Sequence, residues 1–129
     1  MDPDRLRAVA IFSGLSKKEL ERLAAWTDEI SIREGEDLVT EGRFAHEFFV
    51  IEDGSAEVLQ SGDRIAELGA GDFFGEIALL ETERRTATVR ATTPMEVIVM
   101  FGPNFKQMER EMPAVADRVR SAIRARLDS

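Results

Sequence analysis

Residues 47–72 read EFFVIEDGSAEVLQSGDRIAELGAGD, and the order of apolar runs and turn residues in this stretch decides the fold class. The β-rich run 48–51 is followed by Asp53-Gly54, a pair that is typical of a two-residue hairpin turn. The run 56–59 continues this predicted hairpin, and Ser61-Gly62-Asp63 predicts a further turn before a strand over 65–68. Short strands that alternate with turns in this way predict an antiparallel sheet.

The same β pattern extends outward in both directions along the chain. Apolar and charged residues alternate over 30–39, and two more β-rich runs, 88–91 and 96–100, are separated by Pro94. The pattern reaches seven or eight short strands with turns between them. This number is typical of an antiparallel barrel or jelly roll.

Helical patterns replace the β pattern at both ends of the chain. Ser16-Lys17-Lys18-Glu19 has the spacing of a capping box, and an apolar helical stripe follows it. Gly102-Pro103-Asn104 ends the last strand and begins a helix, and Pro113 begins a final one. We therefore predict a mainly β fold with flanking helices: an antiparallel β jelly-roll barrel with an N-terminal helix, a short helix inserted between two strands, and two C-terminal helices. The chain is expected to form a single domain, with a helical part over 1–28, a β roll over 29–102 and C-terminal helices over 103–129.

Composition and charge argue against several classes of function. The chain has no cysteine and a single histidine, His46, which excludes disulfides, thiolate-bound zinc or iron–sulfur clusters, cysteine nucleophiles and multi-histidine metal sites. The net charge of −8, from 17 basic and 25 acidic side chains, argues against nucleic acid as a partner of this chain itself. The sequence contains no evident nucleophile–base pair and no membrane-spanning run. We therefore expect a cytoplasmic, non-enzymatic chain without a catalytic cofactor or metal.

One segment between two predicted strands has the features of an anion site. Gly75 precedes Glu76-Ile77-Ala78-Leu79-Leu80, and a short helix that begins at a glycine directs unpaired N–H groups outward. Arg85 follows at the start of the next strand, where its guanidinium can bind the same anion through two hydrogen bonds. Glu76 would repel a bare phosphate, but it can accept a hydrogen bond from a hydroxyl such as that of a ribose diol. Thr86 adds a hydroxyl that can donate and accept.

These residues resemble the phosphate-binding cassette of the cyclic nucleotide-binding domain family. Phe74-Gly75-Glu76-Ile77-Ala78-Leu79 and Arg85-Thr86-Ala87-Thr88-Val89 are similar to the two halves of that cassette, here residues 71–89. Four further segments resemble other motifs of this family: IFSGL (11–15), REGE (33–36), Glu41-Gly42 and FFVIEDG (48–54). The resemblance extends from about Val9 to Leu127, which is nearly the whole chain.

The resemblance implies a ligand and a role for each matching residue. The implied ligand is a 3′,5′-cyclic nucleotide, with cAMP favoured and cGMP possible. Glu76 would accept from the ribose 2′-hydroxyl, Arg85 would pair with the cyclic phosphate, and Thr86 would contact phosphate or base. Backbone amides would meet the ligand at Gly75, Glu76, Ile77, Ala78 and Ala87. The last helix would bring Arg124 or Arg126 over the base, as in some channel members, and would shift when ligand binds.

Some departures from the family pattern and some alternatives remain. Arg84 stands where many members have proline, and Ala45-His46-Glu47 stands where many have Gly-Asp or similar. The alternative function is a structural or protein-interaction domain that does not bind nucleotide, which the intact Glu76 and Arg85 oppose. The arginines of the last helix are expected to form a solvated face, with acidic partners as the alternative: Arg118, Arg120, Arg124 and Arg126. We expect no helix-turn-helix in this chain, and a homodimer or a fused or separate effector is expected to receive the signal of the last helix.

Overall fold

The computed structural model describes residues 3–7, 9, 12–43, 47–74 and 87–128; within the last range, the side chains of 122, 123 and 126–128 are not described. The chain begins with two helices, α1 (Pro3–Arg7) and α2 (Lys17–Ala24). Eight strands follow: β1 (Asp28–Ile32), β2 (Asp37–Val39), β3 (Glu47–Asp53), β4 (Ala56–Gln60), β5 (Asp63–Leu68), β6 (Phe73–Phe74), β7 (Thr88–Ala91) and β8 (Met95–Phe101). Two further helices are α3 (Gly102–Glu111) and α4 (Pro113–Asp128).

The eight strands form two four-stranded sheets, in which all neighbouring strands are antiparallel. The first sheet has the order β1-β8-β3-β6, and the second has the order β2-β7-β4-β5. One apolar core joins them, with Phe49 and Val97 from the first sheet and Ala56 and Val89 from the second. These findings confirm the predicted jelly-roll-like β fold with flanking helices. The predicted short helix lies within 75–86, outside the described residues.

Strand β3 is buried on both faces, which explains why the run 48–51 does not alternate with polar residues. Phe49 and Ile51 belong to the core between the two sheets, whereas Phe48 and Val50 belong to a second core formed with the helices. Each helix contributes a fully buried side chain to this second core: Leu6, Leu20, Phe105 and Val119. The first sheet is therefore enclosed between the helices and the second sheet. Among the described helices, none is long and apolar enough to cross a membrane.

The predicted hairpin at Asp53-Gly54 is wrong, because the strands on its two sides belong to different sheets. β3 pairs with β6 and β8, and β4 pairs with β5 and β7. The turn packs instead against the connection 92–94, which leads from the second sheet to the first: Ser55 N donates to Thr93 Oγ1 at 2.9 Å, and Thr92 N donates to Ser55 O at 3.0 Å. Two crossings between the sheets thus lie side by side. Gly54, at φ +94°, suits a sharp turn whether or not the flanking strands pair.

The turn predicted at Ser61-Gly62-Asp63 is confirmed, and it is the tip of a true hairpin. Gln60 lies opposite Asp63 in the β4–β5 ladder, so the loop has two residues, Ser61 and Gly62. Both have positive φ values, 52° and 85°, as a type I′ hairpin turn requires. The predicted turns at Gly54 and Gly62 are therefore both present, but the flanking strands pair with each other only at Gly62.

The first helix is fastened to the first sheet by one arginine between two carboxylates. Arg5 Nη1 lies 2.6 Å from Glu29 Oε1 on β1, and Arg5 Nε donates to Glu52 Oε2 on β3 at 3.1 Å. Burial, followed by the nearby charge of Glu29, raises the pKa of Glu52 above its ordinary value, although the Arg5 guanidinium opposes this shift. Ionisation of Glu52 therefore carries a cost in the folded protein.

Candidate ligand-binding site

Most of the residues predicted to contact a ligand lie in the segment 75–86, outside the described part of the chain. These residues are Gly75, Glu76, Ile77, Ala78, Arg85 and Thr86. Ala87 is described and half-buried, and Arg124 is described and exposed on α4. Arg126 belongs to α4 by its backbone, and its side chain is not described. Those predictions therefore stay predictions, and the structure describes the elements on either side of the segment.

The segment 75–86 leads from the first sheet to the second. Phe74 ends β6, which is an edge strand of the first sheet, and Thr88 begins β7, which lies between β2 and β4 in the second. The segment thus joins strands of different sheets. The positions of its two neighbours in sequence, Phe74 and Ala87, depend on how each sheet holds its own strand.

The strand before the segment is held by aromatic packing and by a hydrogen-bonded turn. Phe74 stacks on Phe49 of β3, with ring centroids 4.9 Å apart and an interplanar angle of 14°. The turn 69–72 is hydrogen-bonded to β3 through both backbone polar groups of Ile51. Ile51 N donates to Asp72 O at 2.9 Å, and Ile51 O accepts from Gly71 N at 2.8 Å. Asp72 Oδ2 closes the turn by accepting from Gly69 N at 2.8 Å. These contacts fix the backbone of residues 69–74 against β3.

The strand after the segment is held by a chain of hydrogen bonds through Glu41. Thr88 Oγ1 accepts from Glu41 N at 3.0 Å, and Glu41 Oε1 accepts from Ser61 N at 2.9 Å. These bonds bring together the first residue of β7, the loop after β2 and the tip of the β4–β5 hairpin. The resemblance assigned no role to Glu41, and no local pattern could have found its link to Thr88, because 47 positions separate the two residues.

Arg90, the basic residue of β7, is paired with a carboxylate of the neighbouring strand β2. Arg90 Nε donates to Asp37 Oδ1 at 2.7 Å, and this bond raises the pKa of Arg90. Glu57, opposite Arg90 in the β4–β7 ladder, adds a second negative charge nearby. Arg90 therefore neutralises carboxylates of the second sheet.

The predicted solvated arginine face of α4 agrees with the exposure of Arg118 and Arg124, whereas Arg120 is largely covered, with 23% of its side chain exposed. Arg118 Nη1 contacts both carboxylate oxygens of Glu19, at 2.6 and 2.8 Å, and so ties α4 to α2. Arg120 contacts Glu109 of α3 at 2.7 Å and lies over the ring of Phe105, 5.5 Å from its centroid. Both arginines thus hold α4 against neighbouring helices. These partners were missed because they are distant in sequence or belong to another helix.

Glu19 has two functions in the fold. Its carboxylate accepts from Ser16 N at 2.9 Å, and Ser16 Oγ accepts from Glu19 N at 3.2 Å, which confirms the predicted capping box. The Ser16 amide is the main cause of the lowered pKa of Glu19, and Arg118 lowers it further. The same carboxylate therefore caps α2 and holds the last helix.

Comparison with known proteins agrees with this architecture. The family model described as "Cyclic nucleotide-binding domain" matches residues 29–111, more than half of the chain. A cAMP-dependent protein kinase regulatory subunit from Schizosaccharomyces pombe is 32% identical over 123 residues, which cover 95% of this chain and 29% of the relative. A cGMP-dependent protein kinase from Eimeria tenella is 38% identical over 84 residues, covering 65% of this chain and 8% of the relative.

A solved structure agrees as well. The cAMP-bound structure of PfPKA-R superposes with a TM-score of 0.73 at 26% identity, covering 92% of this chain and 45% of that one. The matched part of this chain corresponds to less than a third of the length of the curated relatives. With the family model matching most of the β roll and α3, the chain belongs to the cyclic nucleotide-binding domain family.

Proposed function

We propose that this domain binds a 3′,5′-cyclic nucleotide and acts as a regulatory sensor. The observation that carries the proposal is the cassette sequence, FGEIAL (74–79) and RTATV (85–89), in a chain of this family. Two relatives are named as cAMP- or cGMP-dependent proteins and one similar solved structure is bound to cAMP, which supports the ligand class.

Each cassette residue has a proposed role that follows from its chemistry. Arg85 pairs with the cyclic phosphate through its guanidinium fork, and Glu76 accepts a hydrogen bond from the ribose 2′-hydroxyl. Backbone N–H groups over 75–78 and at Ala87 complete the contacts to the ligand. Thr86 offers its hydroxyl to the phosphate or base. Either Arg124 or Arg126 of α4 covers the base; Arg124 is exposed and so accessible to a ligand.

Titration calorimetry with cAMP tests the phosphate role. Hydrogen bonds to charged groups are worth roughly 1.5–3 kcal/mol, so Arg85→Ala should weaken cAMP binding about ten- to hundredfold. Arg84→Ala is the matched control, because it removes the same charge one position earlier. Equal losses in the two variants would mean that overall charge, and not Arg85, provides the attraction. No binding by the wild-type chain would favour the non-binding structural or interaction domain.

The role of Glu76 is tested with a ligand that lacks the 2′-hydroxyl. Wild-type protein should discriminate strongly between cAMP and 2′-deoxy-cAMP, because a site that pairs a hydroxyl leaves a polar group unpaired without it. Glu76→Gln should discriminate less. If both proteins discriminate equally, the ribose is recognised by another residue.

The choice of nucleotide is proposed to favour cAMP, with cGMP bound within roughly tenfold, since a net hydrogen bond is worth about 1 kcal/mol. Thr86 can hydrogen-bond the amino group of a syn guanine, and adenine has no amino group at that position. Thr86→Ala should therefore weaken cGMP more than cAMP, by about fivefold. An equal loss for both nucleotides would limit Thr86 to the phosphate.

The output of the single domain, residues 1–129, is proposed to pass through α4 to a second copy or to an effector. The ion pairs of Arg118 and Arg120 hold α4 against α2 and α3, and surface ion pairs of this kind are weak enough to be exchanged. Hydrogen exchange over 113–127 should change when cAMP binds. Identical protection with and without nucleotide would exclude α4 as the output element.

A further inference from the structure

A tight turn after β2 directs one residue toward both β7 and the β4–β5 hairpin. Arg43 N donates to Thr40 O at 3.2 Å, and Gly42 has a φ of +86°, so residues 40–43 form a turn with glycine at its third position. Glu41 is the second residue of this turn. Its N–H donates to Thr88 Oγ1 at 3.0 Å, and its carboxylate accepts from Ser61 N at 2.9 Å. Glu41 therefore connects three separate parts of the second sheet.

The other end of this connection is the residue at which the cassette becomes a strand. Thr88 is the first residue of β7, and its backbone pairs with Leu59 in the β4–β7 ladder. Val89, the next residue, is buried between the sheets, opposite both Val39 and Val58. The hydrogen bond to the Thr88 hydroxyl thus connects the start of β7 to the turn 40–43 as well.

We infer that Thr88 and Glu41 are positioning residues for nucleotide binding, and this inference rests on the proposed function. Arg85 precedes Thr88 by three residues, so the chain between them spans at most about 10 Å. The position of Thr88 therefore limits the region in which the Arg85 guanidinium can be placed. A guanidinium that binds an anion through two hydrogen bonds tolerates little displacement. The Glu41–Thr88 link thus raises affinity without either residue touching the ligand.

Substitutions at Thr88 separate the hydroxyl from the shape of the side chain. Thr88→Val keeps the β-branched shape and loses the hydroxyl, and Thr88→Ser keeps the hydroxyl and loses a methyl group. By calorimetry, Thr88→Val should bind cAMP about three- to tenfold more weakly than wild type, the range expected for one hydrogen bond. Thr88→Ser should remain within about twofold of wild type, because its hydroxyl can still accept from Glu41 N–H.

Glu41 provides the reciprocal test at an exposed position, where substitution leaves the core intact. Glu41→Pro removes the N–H that donates to Thr88 Oγ1, at a turn position that proline favours. It should also weaken cAMP binding about threefold or more, and combining it with Thr88→Val should add little, because both remove the same hydrogen bond. Glu36→Ala is the control: Glu36 is an exposed glutamate that pairs only loosely with Arg33, at 3.8 Å. It should bind cAMP as wild type does.

A background without Arg85 shows whether the link acts through that residue. In Arg85→Ala, adding Thr88→Val should reduce cAMP affinity by less than twofold, whereas a general structural defect would reduce it as much as in wild type. The inference is overturned if wild type binds cAMP and Thr88→Val binds equally well, or if Thr88→Ser loses as much as Thr88→Val. Failure of wild type to bind any cyclic nucleotide overturns the proposed function itself. If Thr88→Val does not fold, unchanged binding by Glu41→Pro overturns the inference.

Discussion

Replacing Gly54 with alanine should destabilise the domain far more than the same change at Gly62. At Gly54 the backbone has a φ of +94°, and an added Cβ would lie 2.4 Å from Pro94 O and 2.9 Å from Met95 Cα. The left-handed backbone costs an L-residue about 1–2 kcal/mol, and moving packed atoms to make room costs about 1–3 kcal/mol more. The expected loss is therefore about 2–5 kcal/mol, a large part of the roughly 5–15 kcal/mol that stabilises a typical domain.

Gly62 isolates the backbone part of this cost. Its φ of +85° is similar, but apart from its two chain neighbours no described residue has an atom within 4 Å of the position of an added Cβ. Gly62→Ala should therefore cost only about 1–2 kcal/mol. Urea unfolding of both variants, compared at equal m-values, measures the difference. Equal losses at the two positions would refute the close packing of the turn at Gly54 against the 92–94 connection.

Two pH-dependent predictions concern carboxylates outside the proposed site. Because the pKa of Glu19 is lowered in the folded state, its contribution to stability is complete above its unfolded pKa of about 4.3 and is lost as pH falls through the folded value. Glu19→Gln should therefore show a shallower loss of unfolding free energy below about pH 4.3 than wild type; an unchanged slope would contradict the shift. The raised pKa of Glu52 has the opposite sign, so stability should fall as pH rises from about 4.3 through the folded value. Glu52→Gln should remove that decline in urea unfolding at pH 4–7, and a decline as steep as in wild type would contradict the raised pKa of Glu52.

The sequence alone determined the features that depend on neighbouring residues. Strand alternation, the capping box at Ser16 and Glu19, and the glycine turns are local, because each follows from the conformational preferences and hydrogen-bonding groups of a few adjacent residues. The cassette motif is local in the same sense, so its residues could be chosen without coordinates. Their contacts with a ligand stay a prediction, since 75–86 lies outside the described residues.

The tertiary structure decided which strands pair and which charges are engaged. Asp53-Gly54 has the chemistry of a hairpin turn, yet the chain crosses between sheets there, because burial of both faces of β3 requires the helices on one side and the second sheet on the other. Arg118 is exposed, and its partner Glu19, 99 positions away in sequence, comes within 2.6 Å only in the folded chain. Glu41 likewise reaches Thr88 only when the second sheet forms. Such long-range contacts follow from the packing of whole helices and strands, which the conformational preferences of neighbouring residues do not determine.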